Sequence, residues 1–93
     1  MTTLDAKVRV PDEVLFQELP GEAVILHQGT GKYYGLDEVG TRMWVLVTKY
    51  GFLEPALHDL LHEYDVTEEK LHHDLLAWVD ELAAHDLLEV YGL

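Results

Sequence analysis

The sequence predicts an α+β fold of winged helix-turn-helix type, a three-stranded antiparallel sheet followed by three helices, and three observations predict it. Two short runs rich in strand formers flank Pro20-Gly21, and a third run follows the turn Gln28-Gly29-Thr30-Gly31. Beyond Leu36 the apolar spacing changes from two to three or four residues, which is a helical signal. The helical half is then divided at Gly51 and again near Asp65-Val66.

Residues 1–12 show no periodicity and are expected as a flexible N-terminal arm, with Pro11 before the ordered domain that spans 13–93. Val14–Leu19 and Glu22–His27 form a hairpin, because Pro20 and Gly21 suit the two central positions of a type II turn. Lys32–Leu36 adds the third strand, at an edge of the meander. Asp37 stands where a helix N-cap belongs and Glu38 in the first turn, so a helix runs from about Glu38 to Tyr50. Its apolar face is Val39, Met43, Leu46, Val47 and Tyr50. Pro55 at a first helical position opens a second helix with Leu57, Leu60, Leu61 and Tyr64 on one face. Thr67 caps a third, longer helix whose inner face reads Leu71, Leu75, Trp78, Val79 and Leu82. Leu87–Tyr91 fits either a last helical turn or a short strand.

Ninety-three residues allow one domain with one modest core. With 48% hydrophobic and 26% charged residues the composition is that of a globular domain. No apolar run is long enough to cross a membrane and the first residues carry no signal-peptide pattern, so a cytoplasmic location and no membrane partner are expected. Cysteine, serine and asparagine are absent, which removes disulfides, thiolate metal sites and Ser-His or Cys-His acyl transfer. Residues 1–50 hold seven acids and five bases, a net of −2, whereas residues 51–93 hold eleven acids against Lys70 alone, a net of −10. That field repels phosphate backbones and suits a basic partner, with screening beyond roughly 8–10 Å. A DNA-reading third helix would carry Lys and Arg, and this one offers Lys70 against Glu68, Glu69, Asp74, Asp80 and Glu81, so no nucleic acid is expected.

Site chemistry is sparse. His58 and His62 lie one helical turn apart, a possible half-site for metal, but no third ligand is placed and the expectation is surface histidines and no cofactor. Adjacent acids such as Glu68 and Glu69 point away from each other on a helix, so no acid/base dyad is indicated, and a metal-dependent enzyme using the histidines stays open as an alternative class. The physical case for function is the third strand. An edge strand presents unpaired backbone donors and acceptors to which a second chain can add. Lys32, Tyr33, Tyr34, Gly35 and Leu36 form that edge, and Leu71, Leu75, Trp78 and Val79 of the third helix are expected to wall an apolar groove beside it. Asp74 and Asp80 are expected at the rim, to receive basic side chains, and proline at Tyr34 or Gly35 should remove an edge donor. From periodicity alone, Tyr33, Tyr34 and Trp78 read more readily as core or half-buried aromatics than as docking residues.

The run Gly31-Lys-Tyr-Tyr-Gly-Leu-Asp-Glu-Val-Gly-Thr-Arg-Met-Trp44 resembles the PqqD-like recognition proteins for ribosomally made precursor peptides, most closely the small stand-alone leader-binding proteins of lasso-peptide pathways, the N-terminal half of a split B protein. Val10-Pro-Asp-Glu-Val14 and Gly21-Glu-Ala-Val-Ile-Leu26 support the resemblance, which extends over roughly residues 8 to 90. It implies a winged-helix adaptor that takes the precursor's leader as a fourth strand on Lys32–Leu36, facing the third helix around Asp74, Leu75 and Val79. It also implies a Lys-containing leader with Tyr and Pro anchors, delivered to a leader peptidase and a cyclase. PqqD proper usually carries Leu-Asn where this chain has Leu36-Asp37, and the double Tyr suits the lasso branch better. The alternatives are an adaptor for a radical-enzyme peptide-modification pathway and a small metal-binding protein.

Overall fold

The computed structural model describes residues 2–91. In chain order the elements are β1 (Lys7–Arg9), β2 (Val14–Leu19), β3 (Glu22–His27), β4 (Lys32–Leu36), α1 (Glu38–Tyr50), α2 (Leu53–Glu63), α3 (Glu68–Ala84) and β5 (Glu89–Tyr91). The expected α+β arrangement is present: β2, β3 and β4 form an antiparallel meander in that order, followed by three helices. Gly21 takes the left-handed conformation (φ 75°) that the second central position of a type II turn requires. The meander's inner face sets Val14, Ala23, Ile25 and Leu36 against Trp44 of α1, and Phe16 stacks on the Trp44 ring with centroids 5.7 Å apart.

The helical half has its own core. Met43, Leu46 and Val47 of α1 pack against Leu53, Leu57 and Leu60 of α2 and against Leu71, Leu75 and Val79 of α3. Asp37 caps α1 through its side chain, accepting from the Gly40 N–H at 2.7 Å, and Gly51 closes the helix in the left-handed conformation. α3 is capped by the Thr67 hydroxyl and ends in a Schellman motif. There Asp86 takes φ 59°, its N–H donates to the Ala83 carbonyl, and the Leu87 N–H reaches back to Leu82 at 2.9 Å. Asp tolerates that conformation better than most side chains. The turn carries Leu87 and Leu88 beneath the sheet, where they complete the second core.

Two expectations need correction and one open segment is resolved. The loose arm over residues 1–12 is instead tied down: β1 pairs antiparallel with β5, Ala6 and Val8 are buried in the helical core, and the Val8 N–H donates to the Gly51 carbonyl at 2.9 Å. Three residues of strand contain one inward position, Val8 between Lys7 and Arg9, which is too short for any period to register. α2 begins at Leu53, so Pro55 is its third residue, still within the first turn whose N–H groups lack helical partners. The segment Leu87–Tyr91, open between helix and strand, is a strand over Glu89–Tyr91.

Two expected outcomes follow from this packing. Val8→Ala should lower unfolding free energy by about 2 kcal/mol in urea, from the lost methyl burial and the cavity left behind, and an unchanged midpoint would show that β1 contributes nothing. Arg42 grips Glu63 across the α1–α2 junction through Nε to Oε1 at 2.7 Å and Nη2 to Oε2 at 2.9 Å. That hydrogen-bonded contact holds the Glu63 carboxyl below its ordinary 4.5. A depressed folded-state pKa contributes stability that is present above the unfolded value and lost as pH falls through the folded one. Glu63→Gln should therefore destabilise at pH 7 by no more than about 1 kcal/mol, as expected for a half-exposed pair, and the difference from the unmodified chain should shrink as pH falls through the acid range.

Candidate functional site

β4 lies at the sheet edge, and the pairing register shows which of its backbone groups are free. Opposed residues in an antiparallel pair alternate between bonded and non-bonded. The tight turn closes on the pair Leu19–Glu22, and the Gln28 N–H donates to the Glu13 carbonyl at 2.8 Å, so even-numbered residues of β3 turn their backbone groups toward β2. Ala23, Ile25 and His27 then face β4, opposite Leu36, Tyr34 and Lys32. Tyr33 and Gly35 are left with N–H and C=O directed away from the sheet. This corrects one sequence expectation: proline at Tyr34 would break the bonding to β3, whereas proline at Gly35 removes a free edge donor.

Beside this edge runs a groove of about 430 Å³ between β4 and α3. Its strand side is Tyr34, Gly35 and Leu36, its floor is Val39, Gly40 and Met43 from the start of α1, and its far wall is Asp74 and Trp78. At one end it continues into an apolar pocket of about 110 Å³ among Val39, Met43, Val66 and Leu71. Toward the opposite end of β4 a cavity of about 300 Å³ is lined by Lys32, Tyr33, Tyr34 and His85. The Tyr34 ring leans on His85 with centroids 5.8 Å apart. Burial, and then the Glu81 carboxylate, raise the Tyr34 phenol above its ordinary 10.0. Asp74 is held by Lys70 at 2.9 Å, and Asp37 is committed to its cap. The groove thus offers backbone bonding, apolar surface and one carboxylate at the rim.

The structure brings together most of the expected site residues and separates three. Lys32, Tyr33, Tyr34, Gly35 and Leu36 form the edge, Tyr33 is 73% exposed on the outer sheet face, and Trp78, Asp74 and Leu71 border the groove system. Leu75 and Val79 are fully buried, turned into the helical core. Asp80 points elsewhere, its carboxylate accepting from the Thr2 hydroxyl. The reason is helical phase: the groove face of α3 reads Asp74, Trp78, Glu81, His85 at i, i+4, i+7, i+11, and Leu75 and Val79 follow each groove residue by one position, about 100° around the axis. Val39, Gly40, Met43 and His85 were missed. An apolar Val39 in an otherwise polar first turn was the available signal for the floor; nothing local marked His85.

Among the described residues no group of three or more His, Cys, Asp or Glu is placed to hold a metal ion, and the His62 Nδ1 lies 2.8 Å from the His58 carbonyl. No helix among them is long and apolar enough to cross a membrane. The two tryptophans should report on the groove: Trp44 is buried and Trp78 is half-buried at its wall. Acrylamide should quench a Trp44→Phe variant, which retains Trp78, several times more strongly than a Trp78→Phe variant, and equal quenching would mean the groove is closed in solution.

Comparison with known proteins agrees with this geometry. The family described as coenzyme PQQ synthesis protein D (PqqD) matches residues 22–88, from β3 through the close of α3. No curated protein matches the chain. A solved structure described as TbiB1 in complex with the TbiA(beta) leader peptide superposes with a TM-score of 0.85 at 34% identity, covering 91% of this chain and 99% of that one. With more than two thirds of its length matched by the family, and an edge strand, capped helix and groove arranged as described, this chain belongs to the PqqD family.

Proposed function

We propose that this chain is a non-catalytic adaptor that binds the leader segment of a ribosomally synthesised precursor peptide, of the lasso class, and presents it to a leader peptidase and a cyclase. The observation that carries the reading is the 34% identical structure solved with a leader peptide, taken together with the free β4 edge beside a side-chain-sized groove in this chain. The leader adds as a strand to β4, exchanging backbone hydrogen bonds with Tyr33 and Gly35. Alternate side chains then fall toward the groove, where Trp78, Leu36, Val39 and Met43 supply the apolar surface for Tyr and Pro anchors. Leu75 and Val79 act from behind, holding the wall in position. Asp74, already near Lys70, receives a basic side chain at the rim, and the net charge of −12 draws a Lys-containing leader toward the surface.

Fluorescence anisotropy with leader peptides encoded beside this chain's own gene tests the reading. Saturable binding in the nanomolar to low micromolar range, roughly −8 to −12 kcal/mol, is expected. Gly35→Pro should weaken it about fivefold or more through one lost backbone hydrogen bond of about 1 kcal/mol and the strand distortion around it, without loss of helical signal. Undiminished binding by Gly35→Pro would overturn strand addition on this edge, and failure of every neighbouring leader to bind would overturn the adaptor reading itself.

A further inference from the structure

The two-stranded ribbon of β1 and β5 packs one face on the helical core and turns the other to water. Val8 and Val90 are directly paired and both point inward, so Lys7 and Arg9 of β1 and Glu89 and Tyr91 of β5 stand on the outer face. Phe52 joins that face, because its backbone bridges Lys7 on the side of β1 away from β5. The rings of Phe52 and Tyr91 are 43% and 49% exposed, and each lies under a cation. Lys7 Nζ is 5.7 Å from the Phe52 centroid, and the Arg9 guanidinium carbon is 5.9 Å from that of Tyr91. Lys49, three residues before Phe52, rests over Tyr50 at 5.2 Å in the same way.

Charge sets this face apart. The chain has eighteen acids and six bases, and three of the six, Lys7, Arg9 and Lys49, take part in this ladder of cations and rings. Glu89, the ladder's one acid, is bound by Arg9 at 2.6 Å. Among the described residues neither Lys7 nor Lys49 has a carboxylate within 4.0 Å. Acids outnumber bases three to one, yet these two ammonium groups meet rings, which attract a cation without neutralising it. The ribbon also keeps backbone groups free. The Val8 N–H donates to the Gly51 carbonyl, so Val8 turns its backbone away from β5, and the bonded pairs of the ribbon are Lys7–Tyr91 and Arg9–Glu89. Val90, opposite Val8, is left with N–H and C=O directed outward from the β5 edge, which no strand covers among the described residues.

We propose that this ladder docks an acidic extended segment of a partner protein. Its carboxylates meet Lys7 and Lys49, its apolar side chains lie on the Phe52 and Tyr91 rings, and its backbone bonds Val90 at the β5 edge. Charge complementarity selects the occupant, since the ladder is a cationic face on a chain whose net charge is −12. A short segment feels the ladder within the screening length of roughly 8–10 Å, whereas a long polyanion or an anionic bilayer also meets the acidic remainder of the surface. None of the ladder residues lines the groove beside β4, so the inference does not rest on leader binding.

The test is an amide-resolved NMR titration of the full chain with an acetylated and amidated Glu-Phe-Glu-Val-Glu peptide, with the Gln-for-Glu analogue as the isosteric neutral control. Saturable shifts at Lys7, Phe52 and Val90 with the acidic peptide, and none with the control, are expected. Lys7→Gln combined with Lys49→Gln should weaken the affinity at least fivefold, and added salt should weaken it in the unmodified chain. Phe52→Ser should weaken it several-fold with no loss of thermal midpoint, since Phe52 occupies the N-cap of α2 without a capping side chain and serine supplies one. The absence of saturable shifts, equal shifts with the control, shifts as large at Lys32 or Lys70 as on the ladder, or unchanged affinity in the double lysine variant would each overturn the proposal. Binding to phosphatidylserine vesicles in preference to the peptide would overturn it as well. Leader titration of the same samples reads the β4 groove separately and should be unchanged.

Discussion

The burial of Leu71, Leu75, Val79 and Leu82 along one stripe of α3 is the constraint on which the rest of this molecule depends. Each removes an apolar side chain from water, worth about 2 kcal/mol, and together they leave the helix a single rotation about its axis. That rotation puts Asp74, Trp78, Glu81 and His85 in a line facing β4. The same helix joins the two cores, because Leu71, Leu75 and Val79 belong to the helical one while Leu82 belongs to the one beneath the sheet. Trp78 touches both cores at their junction, which is where the groove opens.

A small domain with a free strand edge faces the hazard of pairing with copies of itself. Here the hazard is limited by a short edge, five residues, and by a strongly negative chain that repels its own kind. A basic or charge-balanced extended peptide meets no such barrier. The acidic balance and the open edge therefore act together: one selects against self-association, and the other offers backbone bonding to whatever strand arrives. The two-stranded β1–β5 ribbon bears on this only indirectly, by closing the helical core over Ala6 and Val8 far from the edge.

Much of the fold was legible because its signals are local. Asp37 and Thr67 as caps, Gly51 as a stop and Pro20-Gly21 as a turn each act through their own backbone neighbourhood and were readable one residue at a time. β1 was not, since a three-residue strand has no period and its partners, β5 and the Gly51 carbonyl, are distant in the chain. The groove was read in half. The strand lies at the sheet edge, as meander order implies, whereas Leu75 and Val79, expected to wall the groove, are buried in the core. An apolar residue on an amphipathic helix is more readily a core residue than a docking one, and only the helix's orientation separates the two.

The sequence by itself determined the three-stranded meander and the three helices that follow it, that no thiol or serine chemistry is available, and that any partner must tolerate a net charge of −12. The tertiary structure alone decided which face of α3 meets β4 and that Val39 and Met43 form the floor between them. The physical reason is range. Capping, turn geometry and periodicity act over a few residues, while a groove or a cleft is made by side chains from elements tens of residues apart, whose juxtaposition depends on how the cores pack.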